Sequence, residues 1–208
     1  MTQIQNLLIA THNPAKKQEL KFGFSSGLSA SIKLLFLDDL KIKNDPEETG
    51  KTFLDNAKLK ADYFSSLSKL PTIADDGGIE IDILNGAPGV HSKRWLGRDA
   101  TDSEMIQFTL ERLDGVAIEK RTAKFTVCLY YHNPITGFSK SISESLDGHI
   151  ALSPSGLAKR GFPYRALFIV SQYSKYYDEL TSEEHHAVNH RLKALKKLIP
   201  FINKDLLQ

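Results

Sequence analysis

The chain has 208 residues, 27 Lys and Arg against 25 Asp and Glu, 41% hydrophobic residues and a formal charge of +2. This balance excludes a disordered segment and a strongly basic nucleic-acid binder, and the length suits one domain spanning residues 1–208. A single cysteine, Cys128, excludes a disulfide framework or a cysteine zinc cluster, and no apolar run approaches the ~20 residues of a membrane span.

The start, Met1 to Gln5, lacks the charged and apolar regions of a secretory signal, which predicts a cytoplasmic protein. Leu7 to Ala10 is an apolar run suited to a buried strand, and Asn13-Pro14 then places a capping residue before a proline at the first helical position. Leu34 to Leu37 predicts a second strand. Thr49 to Phe64 has helical periodicity, with Phe53, Ala57, Ala61 and Phe64 on one side. A strand from Pro71 to Ala74 leads into Asp75-Asp76-Gly77-Gly78, read as a tight turn, after which Ile79, Ile81 and Ile83 alternate. Thr101 to Glu104 opens a helix that Gly115 stops. Phe125 to Tyr131 and Phe138 to Ile150 read as hairpin strands joined around Asn133-Pro134 and Gly137, and Ala166 to Val170 as another strand. Thr181 and Glu184 form a capping box for a last helix reaching Leu198, with a core stripe of Val188, Leu192, Leu195 and Ile199. The pattern is mixed α/β.

Three places carry residues suited to chemistry. Thr11-His12-Asn13-Pro14-Ala15-Lys16 is a strand-to-helix junction whose N–H groups and lysine suit an anion, although it contains no glycine and also fits an ordinary capped helix start. Lys60 shares the apolar face of its helix with Phe53 and Phe64, so it must either snorkel to water or meet an anion. Glu48 sits just before that helix, where it suits either the helix dipole or a hard cation such as Mg²⁺. Asp75 and Asp76 repel one another, and a metal or a lysine would relieve them; a solvated Asp-Gly turn is the alternative. His186 and His190 are four apart on the predicted last helix, but without a third ligand zinc is disfavoured. Cys128 reads as a packed small hydrophobe, and Ser92 and Ser155 lack a base, which disfavours a serine hydrolase.

In this order the segments resemble the inosine triphosphate pyrophosphatase family across nearly the whole chain, from Leu8 to about Leu195. Thr11 to Lys16 is similar to its T-x-N-x-x-K motif, and Glu48-Thr49-Gly50 through Phe53, Asn56-Ala57 and Lys60-Ala61 to its E-T-G-x-T-F-x-x-N-A-x-x-K-A segment. Ala74 to Ile79 resembles A-D-D-S-G-L, and Gly86 to Val90 the G-x-P-G-V segment; Arg121 to Phe125 and His190-Arg191 complete the series. The resemblance implies an elongated α/β fold with a long central mixed sheet and two lobes around a cleft, and a homodimer. It implies Mg²⁺-dependent hydrolysis of deaminated purine nucleoside triphosphates to monophosphate and pyrophosphate, with no nucleic-acid or membrane partner. It further implies Asp76 as general base with Lys60 in the catalytic machinery, and Glu48, Asp75 and Asp76 as metal ligands. Thr11, His12, Asn13, Lys16 and Gly77 would contact substrate, as would Phe162, Tyr164, Arg165, His185, His190 and Arg191 on the base side.

The base side departs from the family pattern. G-F-G-Y-D-P reads Gly161-Phe162-Pro163-Tyr164-Arg165-Ala166, so a carboxylate has become a fixed cation, and the loop from Gly156 to Gly161 is longer than usual. His185 and Asn189 stand where the family has lysine and serine, and Gly77 replaces the serine of A-D-D-S-G. These substitutions predict altered base preference with the triphosphate half retained. The competing readings are a Maf-like pyrophosphatase, which the Gly-Ala-Pro-Gly and His-Arg segments disfavour, and a nucleotide-binding protein without turnover, which Asp76 and Glu48 disfavour.

Overall fold

The computed structural model describes residues 4–98, 100–157 and 161–208. Strand β1 (Gln5–Ala10) pairs in parallel with β2 (Ile32–Phe36) on one side and β3 (Thr72–Ile81) on the other. Strands β4 (Thr122–His132), β5 (Ser139–Ile150), β6 (Phe168–Val170) and β7 (Lys175–Tyr176) complete a seven-stranded mixed sheet of order β2-β1-β3-β4-β5-β6-β7, with β6 antiparallel to both neighbours. The helices are α1 (Pro14–Phe24), α2 (Phe53–Ser68), α3 (Asp102–Arg112), α4 (Ser182–Val188) and α5 (His190–Leu206). None is long and apolar enough to cross a membrane.

The chain folds as two compact units, each assembled from separated stretches. The first takes the residues up to Asp76, Val127–Glu144 and those from Arg191 onward; the second takes Gly77–Thr126 and Ser145–His190.

Strand alternation organises the first unit. Successive side chains of a strand point to opposite faces, so Leu7 and Ile9 of β1 join Leu20 and Phe24 of α1 and Leu195, Leu198 and Ile202 of α5 in one core. Leu8 and Ala10 join Ala61 and Phe64 of α2 in another. Strand β3 follows the same rule, with Ile73 in the first of these cores and Ala74 in the second. Each fully buried Leu, Ile or Phe here contributes roughly 1.5–3 kcal/mol. The end of α5 is fastened by Asp205, whose carboxylate accepts from Tyr131 Oη (2.6 Å), Asn133 Nδ2 (2.7 Å) and Thr136 Oγ1 (2.9 Å). In the second unit, Ile79, Ile81, Phe125, Leu146, Phe168, Val170 and Val188 share a core, with the Phe125 and Phe168 rings 4.4 Å apart.

Four expectations change. Asp75 to Gly78 form no turn: β3 runs unbroken from Thr72 to Ile81, and Ile83 lies beyond it in an exposed 3-10 turn. Gly78 is required by contact rather than by turning, since a Cβ there would stand 2.1 Å from Ser92 Oγ and 2.6 Å from the Gly89 carbonyl oxygen. Helix α2 starts at Phe53 rather than Thr49, because Thr52 and Asp55 form the capping box. The single last helix is two helices, divided where Asn189 leaves the helical region (φ −57°, ψ 108°), so Val188 and Leu195 serve different cores. The sheet also gains the two-residue β7, too short to show a period, and β6 shrinks to Phe168–Val170 because Pro163–Ala166 form a 3-10 turn. Residues 158–160 of the lengthened glycine loop lie outside the described residues.

Candidate active site

The start of α1 is fixed by its own cap. Asn13 Oδ1 accepts from Ala15 N (2.9 Å) and Lys16 N (3.3 Å), and Thr11 Oγ1 accepts from Asn13 N (3.2 Å). Two of the donors that this helix end offers an anion are thereby engaged. His12 lies partly exposed, its Nε2 3.7 Å from Asp45. One turn inside the helix, Lys16 Nζ lies 3.0 Å from Asp75 Oδ2. The same oxygen is 3.1 Å from Arg191 Nε, and Arg191 Nη1 is 2.5 Å from Glu19 Oε2. Asp75 is only 2% exposed, and its Oδ1 is buried without a hydrogen-bond partner. Burial opposes the Asp75 charge, but Lys16, Arg191 and Lys60 outweigh it and hold the carboxyl well below the usual aspartate range. Burial lowers the Lys16 pKa despite the attraction of Asp75.

A second cluster hangs from α2. Asn56 and Lys60, four residues apart, share its buried face. Lys60 Nζ lies 3.0 Å from Glu48 Oε1 and 3.2 Å from Asp76 Oδ1, and Asn56 Nδ2 donates to Asp76 Oδ2 at 3.2 Å. Asn56 is itself oriented by Gly50, whose N–H donates to Asn56 Oδ1 at 2.8 Å; a Cβ at Gly50 would stand 2.5 Å from that oxygen. The lysine in an apolar stripe has therefore found anions and does not snorkel. Burial works against its charge, yet Asp76, Asp75 and Glu48 together raise its pKa. For Asp76 the balance runs the other way: burial lifts the carboxyl above the ordinary aspartate value, and Lys60 and Lys16 only partly offset it.

Both clusters follow from β3. Adjacent residues on a strand serve opposite faces, so Asp75 continues the side of Ile73 toward α1 and α5, while Asp76 continues the side of Ala74 toward α2. Lys16, Lys60 and Arg191 oppose Glu19, Glu48, Asp75 and Asp76, three cations against four carboxylates. The expected metal set divides accordingly. Glu48 and Asp76 converge on one point, Asp75 is held by Lys16 and Arg191, and no group of three His, Cys, Asp or Glu is placed to hold a metal among the described residues. Two convergent carboxylate oxygens nevertheless match what Mg²⁺ takes from a protein, since it completes its shell with water and substrate phosphates. The partnerless Asp75 Oδ1 is a further hard donor.

The base-side residues belong to the second unit except Arg191, which lies in the first and is buried against Asp75 and Glu19. The Arg165 guanidinium stacks 3.5 Å over the Phe162 ring and 4.7 Å from that of Tyr177, which meets His185 edge-on at 5.2 Å. Tyr164 is buried, and its hydroxyl donates to the Ser92 carbonyl at 2.7 Å. His190 is stacked on Phe125 at 5.7 Å. Gly77 is half-buried on β3. His186 and His190 lie in separate helices, which removes the spacing a paired ligand face would need.

Sequence reasoning assigned no site role to Asn56, Gly50 or Glu19. The six-residue interval from Gly50 to Asn56 carries a usable signal, because a glycine before a cap allows a side chain to fold back onto its N–H. Glu19 has only its place one turn after Lys16, and nothing local joins it to Arg191.

The chain matches the Ham1 family over residues 7–201. It is 37% identical over 197 residues to the dITP/XTP pyrophosphatase of Lactobacillus acidophilus, covering 94% of this chain and 96% of that protein. With the dITP/XTP pyrophosphatase of Geobacillus kaustophilus it shares 39% identity over 196 residues, 94% and 93% of the two chains. A solved HAM1 protein from Coxiella burnetii superposes with a TM-score of 0.84 at 31% identity, covering 96% of this chain and 99% of its own.

Proposed function

The chain belongs to the Ham1 family, and we propose that it is a Mg²⁺-dependent pyrophosphatase converting dITP, XTP and ITP to the monophosphate and pyrophosphate. The observation that carries this reading is the pair of adjacent aspartates on β3, one buried as a fixed counter-ion of Lys16 and Arg191, the other lifted in pKa and placed beside Lys60 and Asn56. A carboxylate with a raised pKa is the better proton acceptor. Asp76 takes a proton from the attacking water, whose oxygen bonds to the innermost phosphorus as the bond to the pyrophosphate oxygen breaks. Asn56 orients the carboxylate, and Lys16 and Lys60 offset the charge that develops on the phosphoryl and leaving oxygens. Glu48 and Asp76 would hold Mg²⁺, with Asp75 a further donor; when bound, the ion supplies charge neutralisation on the phosphates.

Base recognition is assigned to Phe162, Arg165, His185 and His190. The stacking of Arg165 between Phe162 and Tyr177 favours a second reading, in which the triphosphate chemistry is retained and the preferred base has shifted. A homodimer in the cytoplasm is expected from the same resemblance, and light scattering on the purified protein tests the dimer. The deciding experiment is pyrophosphate release from a panel of standard and deaminated triphosphates with Mg²⁺. Asp76→Asn is expected to cut release by ~10²–10⁴ while nucleotide binding stays measurable. Unchanged turnover in that variant removes Asp76 from the mechanism. Strong selectivity for ITP over every other base sinks the shifted-base reading.

A further inference from the structure

The two carboxylates that the proposed function gives to Mg²⁺ already grip a cation of the protein's own. Glu48 Oε1 and Asp76 Oδ1 lie 3.0 and 3.2 Å from Lys60 Nζ. A divalent ion bonded to both oxygens would stand against the ammonium, and repulsion between like charges in a buried setting is large. Lys60 is 8% exposed, and its neighbours Ala57, Ala61 and Phe64 are fully buried, so the backbone of α2 is fixed here. The lysine stem, with its rotatable bonds, is the part free to move.

We infer that Lys60 is the resident counter-ion of the metal seat, and that a metal ion settles there when a triphosphate offers the ammonium another anion. The charges support the exchange: Glu48, Asp76 and Lys60 sum to −1, whereas the two carboxylates with a divalent cation sum to zero, and Lys60 is then spent on a phosphate oxygen. Asn56 keeps Asp76 in place during the change through its separate bond to Oδ2. Because one lysine switches partner for both ligands, metal and nucleotide must strengthen each other's binding equally. The inference rests on the metal role proposed above and adds this coupling to it.

Mn²⁺ is the probe, with free ion read by electron paramagnetic resonance, with and without a non-hydrolysable α,β-methylene triphosphate. Without nucleotide, Lys60→Met is expected to bind Mn²⁺ about tenfold or more tightly than the native protein, having lost the competing charge. The analogue is expected to tighten Mn²⁺ binding strongly in the native protein and far less in Lys60→Met. Glu48→Gln should weaken Mn²⁺ in both backgrounds. Equal or weaker Mn²⁺ binding by folded Lys60→Met overturns the inference, as does indifference to Glu48→Gln. Should Lys60→Met fail to fold, the ammonium resonance of Lys60 in the native protein gives the same answer: it is expected to shift when Mg²⁺ and analogue are added together, and a signal that stays put overturns the exchange. Pyrophosphate release by the native protein is measured separately. Its absence sinks the activity, whereas release without coupling sinks only the exchange.

Discussion

Asp75→Asn removes one charge that serves two cations. The carboxylate is 2% exposed and a single oxygen serves both Lys16 Nζ (3.0 Å) and Arg191 Nε (3.1 Å). Removing one partner of a buried ion pair costs roughly 3–5 kcal/mol, because the remaining charge is left uncompensated. The loss falls mainly on Lys16, since Arg191 retains Glu19 at 2.5 Å. For a chain of this size each kcal/mol lowers Tm by about 2–4 °C, so the variant should melt about 6–20 °C below the native protein. Lys16→Met should cost much less, because Asp75 keeps Arg191. The double variant should recover part of the deficit of Asp75→Asn, having no stranded lysine. The sign with pH is fixed by the depressed carboxyl. Its contribution is complete above the unfolded value of ~3.9 and is lost as pH falls below it. The gap between native and variant melts should therefore close in acid. Thermal melts from neutral pH downward test all of this, and a neutral-pH deficit for Asp75→Asn under ~1 kcal/mol would refute the stranded-charge argument.

Three further outcomes are expected. Asp76→Asn should lower kcat by ~10²–10⁴, the usual worth of a general base. Because burial raises the Asp76 carboxyl, the fold loses stability as pH rises from the unfolded toward the folded value, so at neutral pH the neutral amide should melt no lower than the native protein. By the same shift the acid limb of the kcat/KM profile should have its midpoint above ~3.9. Gly78→Ala should destabilise by about 1–3 kcal/mol through overpacking, and Ser92→Gly should restore part of that in urea melts, since Ser92 Oγ is the atom met first. Asp205→Ala deprives Tyr131, Asn133 and Thr136 of one shared acceptor; a loss of about 1–3 kcal/mol is expected, with pyrophosphate release per folded molecule unchanged.

Periodicity made the buried face of α2 readable, and with it the demand that Lys60 meet an anion. Which anions it meets depended on a strand that turn chemistry disguised. Asp-Gly pairs favour turns, yet here Gly78 follows from the close approach of Ser92 and Gly89 to β3, which sequence does not display. Once β3 is known to be continuous, alternation alone sends Asp75 and Asp76 to opposite faces. Arg191 pairs with Asp75 across 116 residues, a tertiary fact with no local trace. The four-residue interval between His186 and His190 misled in the opposite sense, because a helix break at Asn189 leaves no mark in the apolar pattern.

The composition of the first core has a consequence for synthesis. Leu195, Leu198 and Ile202 cover Leu7, Ile9 and Leu20, and Arg191 completes the neutralisation of Asp75. At ~5–20 residues per second, the ribosome delivers these partners several seconds after β1 to β3 have been made. Until then the nascent chain carries an uncovered apolar sheet face and an incompletely neutralised aspartate. Final folding of this unit should therefore wait until α5 has been delivered, and a nascent chain stalled before residue 191 should remain open to protease at α1.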